Sequence, residues 1–408
     1  MPNPVFWPKR AIRRPRSFTC LLASTLSAAV GRNGYYIASA WILVEEGHGS
    51  AAVAVFLVIV SATELVASPV AGIAADCFDR RRLNIVSDLA RFAAALGTAA
   101  ALLYLDVFLT ICVSAILFSL CDRVALTASQ SMIPGVAAHR SLAAANSLVF
   151  FIMQFGNLGA ALLSGILLHE CPPALTFAIL SGFFFISACF MVPMRPERAS
   201  VSGKGVTAAT ATAPDVDLSL LRISAVYAFL YASAVLVSVM GSSFIFAEQG
   251  GSAVDFGHLE AAWSAGSILG AVLLVPLGRA TNTSTLHLMI LGATAVTLMT
   301  LKLLHPPWTL IVFAAVGILY NLGRVSVEVS VQSIVSEDAL GRAKGIIHSV
   351  GVALGTLVFG ITAVVGDKIN PSTIFFGFGV VLFLGASILS VPAIRREKEE
   401  VKTWKIKR

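Results

Sequence analysis

Gly72-Ile73-Ala74-Ala75-Asp76-Cys77-Phe78-Asp79-Arg80-Arg81-Arg82-Leu83 joins two long apolar runs, 51–75 and 83–104. Asp76, Asp79 and the three arginines crowd charge into the few residues between those runs. About 20 apolar residues in a helix cross the hydrocarbon layer of a bilayer. Irregular backbone cannot face lipid, so each run reads as a helix and residues 76–82 as a polar turn at a membrane surface. Working outward, the same pattern recurs at 17–43, 107–129, 142–168, 173–193, 219–246, 257–279, 284–304, 308–331, 342–366 and 372–393. The chain is therefore expected to be an all-α membrane protein with twelve transmembrane helices.

Composition excludes the rivals. Of 408 residues 57% are hydrophobic and 12% charged, against about a quarter charged in soluble domains. So little charge cannot cover a soluble fold of this size, which sets aside cytosolic enzymes, disordered chains and secreted disulfide scaffolds. The short alternating segments of an outer-membrane barrel are absent. The six cysteines form no CxxC pair and have no accompanying histidine cluster, so neither a disulfide framework nor a metal site is expected. The basic N-terminus ahead of an apolar run imitates a secretory signal, but the run is too long and lacks a small-residue cleavage site, so it reads as a retained first helix.

Lysine and arginine placement sets the expected orientation. With the N-terminus in the cytoplasm, 23 of the 29 basic residues fall in inner segments, among them Arg80–Arg82 and seven in the C-terminal tail, while only Lys302 and Lys368 lie in outer loops. This asymmetry places both termini in the cytoplasm. The net charge of +7 then follows from apposition to an anionic leaflet and requires no nucleic-acid partner. The sequon-like Asn282-Thr283-Ser284 falls on the cytoplasmic side.

Residues 195–217, rich in Ala, Thr, Ser and Gly, read as a flexible linker. They separate an N-terminal six-helix half, 1–194, from a C-terminal half, 218–408. The halves echo each other. Arg123 and Arg324 lie 201 apart, each about 16 residues into its run, and Gln130-Ser131-Met132-Ile133 matches Gln332-Ser333-Ile334-Val335. A Gly-rich helix follows in each half, with Gly156, Gly159 and Gly165, and with Gly351, Gly355 and Gly360. Two parallel six-helix repeats about an axis along the membrane normal form the major facilitator architecture.

The loop 72–83 resembles the GxxxDRxxRR signature of the major facilitator superfamily, and most closely the exporter branch that includes macrolide efflux proteins and the enterobactin exporter. Gln130 to Pro134, Ala145-Asn146-Ser147 and Gly341-Arg342-Ala343 agree with it. The resemblance implies a cytoplasmic gate in which Asp76 sits against the N-terminus of the eleventh helix in the outward-open state. Gly72 is expected to permit close packing, and Arg80 to Arg82 to anchor the loop to phosphates and acidic partners. Two positions depart from the pattern. Cys77 replaces the usual Arg, and Ala160 stands where antiporters commonly place Pro, which weakens the case for proton antiport.

Ionisable groups within membrane runs are functional candidates. These are Arg32, Glu64, Asp122, Arg123, Arg324 and Glu328; His348 reads as a packed polar residue, while Asp88 and Arg91 are expected to snorkel from the inner end of the third run. By the resemblance, helices one, four, seven and ten line a central cavity. The expected substrate-binding set is Arg32, Asn33, Tyr36, Arg123, Tyr231, Asn321 and Arg324, with Arg123 and Arg324 about six residues from the cytoplasmic helix ends. Guanidinium groups grip carboxylates bidentately, so the expected cargo is a small polar anion such as a carboxylate-type siderophore. Glu64, Asp122 and Glu328 are the expected proton carriers. The chain thus reads as a transporter and not an enzyme, a secondary exporter by alternating access in a bacterial inner membrane, driven by the proton gradient, without cofactor and monomeric by family default. Multidrug or macrolide efflux, which favours a wide aromatic cavity with an acidic residue and few fixed cations, and siderophore import on the same fold are the alternatives.

Overall fold

The computed structural model describes residues 15–137, 142–194, 218–280, 283–334 and 337–406. The expected linker 195–217 and the basic N-terminus lie outside them. Twelve α-helices follow in order: α1 (Pro15–Glu45), α2 (Gly49–Cys77), α3 (Arg80–Ala101), α4 (Val107–Val136), α5 (Leu142–Glu170), α6 (Pro173–Met191), α7 (Leu218–Ser243), α8 (Ala253–Ala280), α9 (Thr283–Thr300), α10 (Trp308–Ile334), α11 (Glu337–Val365) and α12 (Pro371–Ile406). A π-helical turn, Phe244–Glu248, prolongs α7.

Eight of these, α2, α4, α5, α6, α7, α10, α11 and α12, are long and apolar enough to span a bilayer on their own. The other four fall short for visible reasons in at least two cases. Helix α3 carries Arg80, Arg81, Arg82, Asp88 and Arg91, and α9 has only 18 residues. Such helices cross because neighbours cover their polar faces, a tertiary effect beyond the reach of any single window.

Short polar connections stop and start the helices. Asp79 Oδ1 accepts from the Arg82 amide at 2.8 Å and caps α3, and Asp106 Oδ1 accepts from the Leu109 amide at 2.9 Å and caps α4. Before α8, Asp255 Oδ2 accepts from both the Ser252 amide and hydroxyl at 2.8 Å, a reciprocal capping box.

Packing repeats between halves. Helices α1 with α5, α2 with α4, α3 with α4 and α3 with α6 form the first half, and α7 with α11, α8 with α10, α9 with α10 and α9 with α12 are their counterparts. The halves meet along two seams, α5 with α8 and α2 with α11, which exchange under the same operation. Large apolar side chains such as Leu65, Val66 and Ile73 on α2 and Ile388 on α12 stay exposed around the rim, as lipid contact requires.

An even number of crossings puts the start of α1 and the end of α12 on one face, called here the terminal face. On the opposite face the halves are clamped. A Cβ at Gly257 of α8 would lie 2.8 Å from the Gly165 Cα of α5, so only glycine allows this approach. Nearby, Trp41 of α1 stacks on Phe256 with ring centroids 5.5 Å apart and meets Phe246 edge-on. Among the described residues, the ring contact between halves nearest the terminal face is the Arg324 guanidinium 5.2 Å over Phe150, at mid-depth. Among the described residues, the bundle is closed at the opposite face and opens toward the terminal face.

Candidate translocation site

The charged side of the site is built in the first half. Arg91 of α3 is fully buried and donates through Nη1 to Asp122 Oδ1 of α4 at 2.6 Å and through Nη2 to Asp88. Asp88 Oδ2 accepts from the Ser187 hydroxyl at 2.7 Å, which in turn lies 2.8 Å from Ser24 Oγ. Phe184 lies under the Arg91 guanidinium at 4.6 Å. The expectation that Asp88 and Arg91 snorkel is therefore wrong. The Arg91 guanidinium bonds both carboxylates inside the half, so neither Asp88 nor Arg91 needs to reach water. Arg32 of α1 stands at the mouth of this network. Its Nη1 is 4.0 Å from Asp122 Oδ2, and its Nη2 faces Met153 Sδ at 3.9 Å.

Glu64 of α2 lies within electrostatic reach of Asp122, Arg32 and Arg123, and also of Tyr231 across the seam. Its carboxylate makes no hydrogen bond or ion pair among the described residues. Arg123 lies within electrostatic reach both of Glu64 and of His348 of α11 in the second half.

The second half supplies an aromatic cleft of about 360 Å³, lined by Tyr227 and Tyr231 of α7, Tyr320, Arg324 and Glu328 of α10, and His348. The Tyr227 and Tyr231 rings stack at 6.1 Å, and the Tyr227 hydroxyl lies 3.2 Å from His348 Nδ1. Glycine builds this wall. A Cβ at Gly351 would sit 2.7 Å from the Tyr227 ring, and one at Gly355 would sit 2.8 Å from the Tyr231 ring. His348, read as a packed polar residue, is instead exposed to the cleft.

Several expected site residues are placed elsewhere. Asn33 donates to the Asn157 carbonyl at 3.1 Å, and Asn321, buried, donates to the Ser267 carbonyl at 2.5 Å. Both tie helices together, α1 to α5 and α10 to α8, and neither lines the aromatic cleft. Tyr36 packs its ring edge-on to Phe118 at 5.8 Å, between the aromatic core and the charged group. Arg123 and Arg324 are each the seventeenth residue of their helix, but α4 and α10 run 13 and 10 residues further, to Val136 and Ile334. They lie roughly 20 and 15 Å from those ends at 1.5 Å per residue, deeper than the six residues expected.

At the loop 72–83, Asp76 is exposed and makes no hydrogen bond among the described residues. The start of α11 that it is expected to face includes residues outside the described set. Gly72 is not a packing glycine, because a Cβ there would meet nothing within 4 Å. Two of the three arginines are engaged within the half. Arg80 Nη1 donates to the Ser131 carbonyl of α4 at 2.8 Å, and Arg81 Nε donates to the Met191 carbonyl of α6 at 3.0 Å. The Met191 carbonyl is the last of α6, at an end that lacks intrahelical donors and carries partial negative charge, so a guanidinium is its natural partner, while Arg80 bonds a carbonyl five residues before the end of α4. The tripeptide staples α2 and α3 to α4 and α6 within one half.

One embedded carboxylate escaped the sequence reading. Glu260 lies about two turns into α8, facing Gly241 of α7, where a Cβ would come 3.9 Å from its Oε1. A plain search of the run 257–279 for acidic residues would have found it.

The sequence profile of the Major Facilitator Superfamily matches residues 21–360. The chain belongs to that superfamily. It is a multi-pass membrane transporter of small molecules and not an enzyme. It is 24% identical over 395 residues to the multidrug efflux pump Tap of Mycolicibacterium fortuitum, covering 92% of this chain and 95% of that protein. Among solved structures it is similar to the nucleoside transporter NupG, with a TM-score of 0.73, 13% identity and coverage of 92% and 99% of the two chains. It is also similar to a bacterial homologue of the iron transporter ferroportin in an inward-facing state, with a TM-score of 0.71, 16% identity and coverage of 92% and 99%. At such identities these likenesses concern the fold alone.

Proposed function

We propose that this transporter exports amphipathic, ring-bearing organic compounds from a bacterial cytoplasm. The observation that carries the reading is the cleft of Tyr227, Tyr231, Tyr320 and His348, with Glu328 at its edge, open toward the terminal face. Stacked rings offer large apolar faces with polar rims, suited to flat molecules of varied detail. The charges beside them are largely matched in sign, Arg32 against Asp122 above all, which leaves no three-arginine cradle for a polyanion. The likeness to an efflux pump supports the same class. With the terminal face in the cytoplasm, as the basic residues indicate, the state described is inward-facing and ready to load. Proton coupling would fall to Glu64, an embedded carboxylate without a partner among the described residues that lies within reach of Arg32 and Arg123. Asp122 is committed to Arg91.

The test is accumulation of fluorescent aromatic dyes in efflux-deficient cells. The wild-type chain should lower accumulation severalfold, and Tyr231→Ala should lose most of that effect at equal expression. Unchanged accumulation with the wild-type chain defeats the proposal. One observation favours the anionic metabolite, including a carboxylate siderophore: Arg123 forms no ion pair among the described residues. In that case Arg123→Lys, which keeps the charge and loses the fork, should abolish export of such an anion while leaving dye accumulation untouched.

A further inference from the structure

The α2–α11 seam ends, on the opposite face, in a contact that no sequence motif announces. Helix α2 begins at Gly49, and its first amides point at Asp367, in the connection that follows α11. Asp367 Oδ1 accepts from the Ser50 amide at 2.7 Å, the Ser50 hydroxyl at 2.9 Å and the Ala51 amide at 3.3 Å. The bare amides of a helix start and the positive end of its dipole favour a carboxylate here. Two glycines make room. Gly49 has φ of +70° and a Cβ there would lie 2.7 Å from Asp367 Cγ, while a Cβ at Gly366 would collide with Ser50 Oγ. The cap of an N-half helix is thus supplied by the C half.

We propose that Asp367 is the clasp that holds the opposite face shut, and that its release is required for that face to open. Every other helix-capping carboxylate described above belongs to the half it caps, so its contact survives any rocking of one half against the other. The Asp367 contact cannot. Opening the opposite face separates α2 from α11 there and strips three donors from one oxygen. The Gly165–Gly257 approach closes the same face on the other seam by shape, and Asp367 adds the polar, reversible term. Helices α2 and α11 run antiparallel, so the carboxylate after the C-terminal end of one reaches the N-terminal end of the other. This clasp does not depend on what the cleft carries.

The test uses the full chain in lipid nanodiscs and follows backbone hydrogen exchange by mass spectrometry. Asp106→Ala is the control, since Asp106 caps α4 wholly within one half. It should raise exchange only in the first turn of α4. Asp367→Ala should raise exchange by about threefold or more, the scale of a lost N-cap, in residues 49–53. It should also do so in segments 161–170 and 253–260, which the clasp does not touch, and should lower exchange at 72–82 on the terminal face. Ser50→Ala removes one of the three bonds and should move the same segments in the same directions by less, which keeps the test open if Asp367→Ala is not recovered folded. A change confined to residues 49–53 and the Asp367 connection in both variants overturns the proposal and leaves Asp367 an ordinary cap.

Discussion

At the scale of the residue, the fate of each ionisable group is decided by partners and not by depth. Arg91 is the twelfth of the 22 residues of α3 and was expected to snorkel, yet Asp88 and Asp122 hold it inside the half. Removing one member of such a network leaves an uncompensated buried charge, which costs about 3–5 kcal/mol. Arg91→Ala should therefore lower the melting temperature in detergent sharply and reduce yield, while Glu64→Gln should leave both near wild type. Equal melting behaviour for the two variants would show that the network bears no structural load. The sequence made most of the charges legible as a set, since an ionisable residue within an apolar run stands out, although Glu260 in the run 257–279 was passed over. It did not make the whole network legible: Asp88 and Arg91 stand three apart on one helix face, a pairing the spacing allows, but Asp122 joins them only through the packing of α3 on α4, which no spacing along the chain encodes. Asn33 and Asn321 illustrate the same limit. Amides on cavity-lining helices look like ligand contacts, but each donates to a backbone carbonyl of the neighbouring helix.

At the scale of the element, glycine and arginine had legible positions and illegible purposes. The Gly-rich fifth and eleventh helices were expected from the repeat, and both use glycine against the first helix of their half. Gly156 admits α1, where a Cβ would come 2.6 Å from Ala29 Cβ, and Gly351 and Gly355 admit the tyrosines of α7. Gly72 belongs to a family signature and nevertheless faces open space. A glycine in a helix interior costs roughly 0.5–1 kcal/mol relative to alanine. Gly72→Ala should therefore keep full export and raise thermal stability slightly. Gly355→Val should instead push the Tyr231 ring into the cleft and cut dye export at least tenfold. Dye export in cells together with a melting curve checks both, and impaired export by Gly72→Ala would return a packing role to that residue. The arginine tripeptide was legible as a surface cluster. That one guanidinium meets the last carbonyl of α6 and another a carbonyl near the end of α4 depends on where those helices stop, and helix ends are the least readable feature of a chain.

At the scale of the whole molecule, twelve runs and a two-fold repeat were legible because hydrophobic length and positive charge are dictated by the bilayer, whatever the helices pack against. The conformational state was not, since it lies in contacts between halves that are far apart in sequence. The orientation and the open face are tested together by thiol labelling with a membrane-impermeant reagent, in a chain whose six native cysteines are replaced by alanine. Ser50 is a poor reporter although it lies at the opposite face, because it is 1% exposed beneath Asp367. Tyr104, in the α3–α4 connection, is 85% exposed, and Phe78, in the α2–α3 connection on the terminal face, is 64% exposed. Tyr104→Cys should label in intact cells and Phe78→Cys only after permeabilisation. Tyr231→Cys separates state from orientation. It lines the cleft, which is shut off from the opposite face by the Trp41–Phe256 stack and the glycine seam. It should therefore label in inverted vesicles and resist labelling in intact cells when the resting state is the one described. Labelling of Phe78→Cys from outside would invert the topology and turn the loading face into a release face. Labelling of Tyr231→Cys from outside, with Phe78→Cys still protected, would keep the topology and mean that the resting population is open at the opposite face.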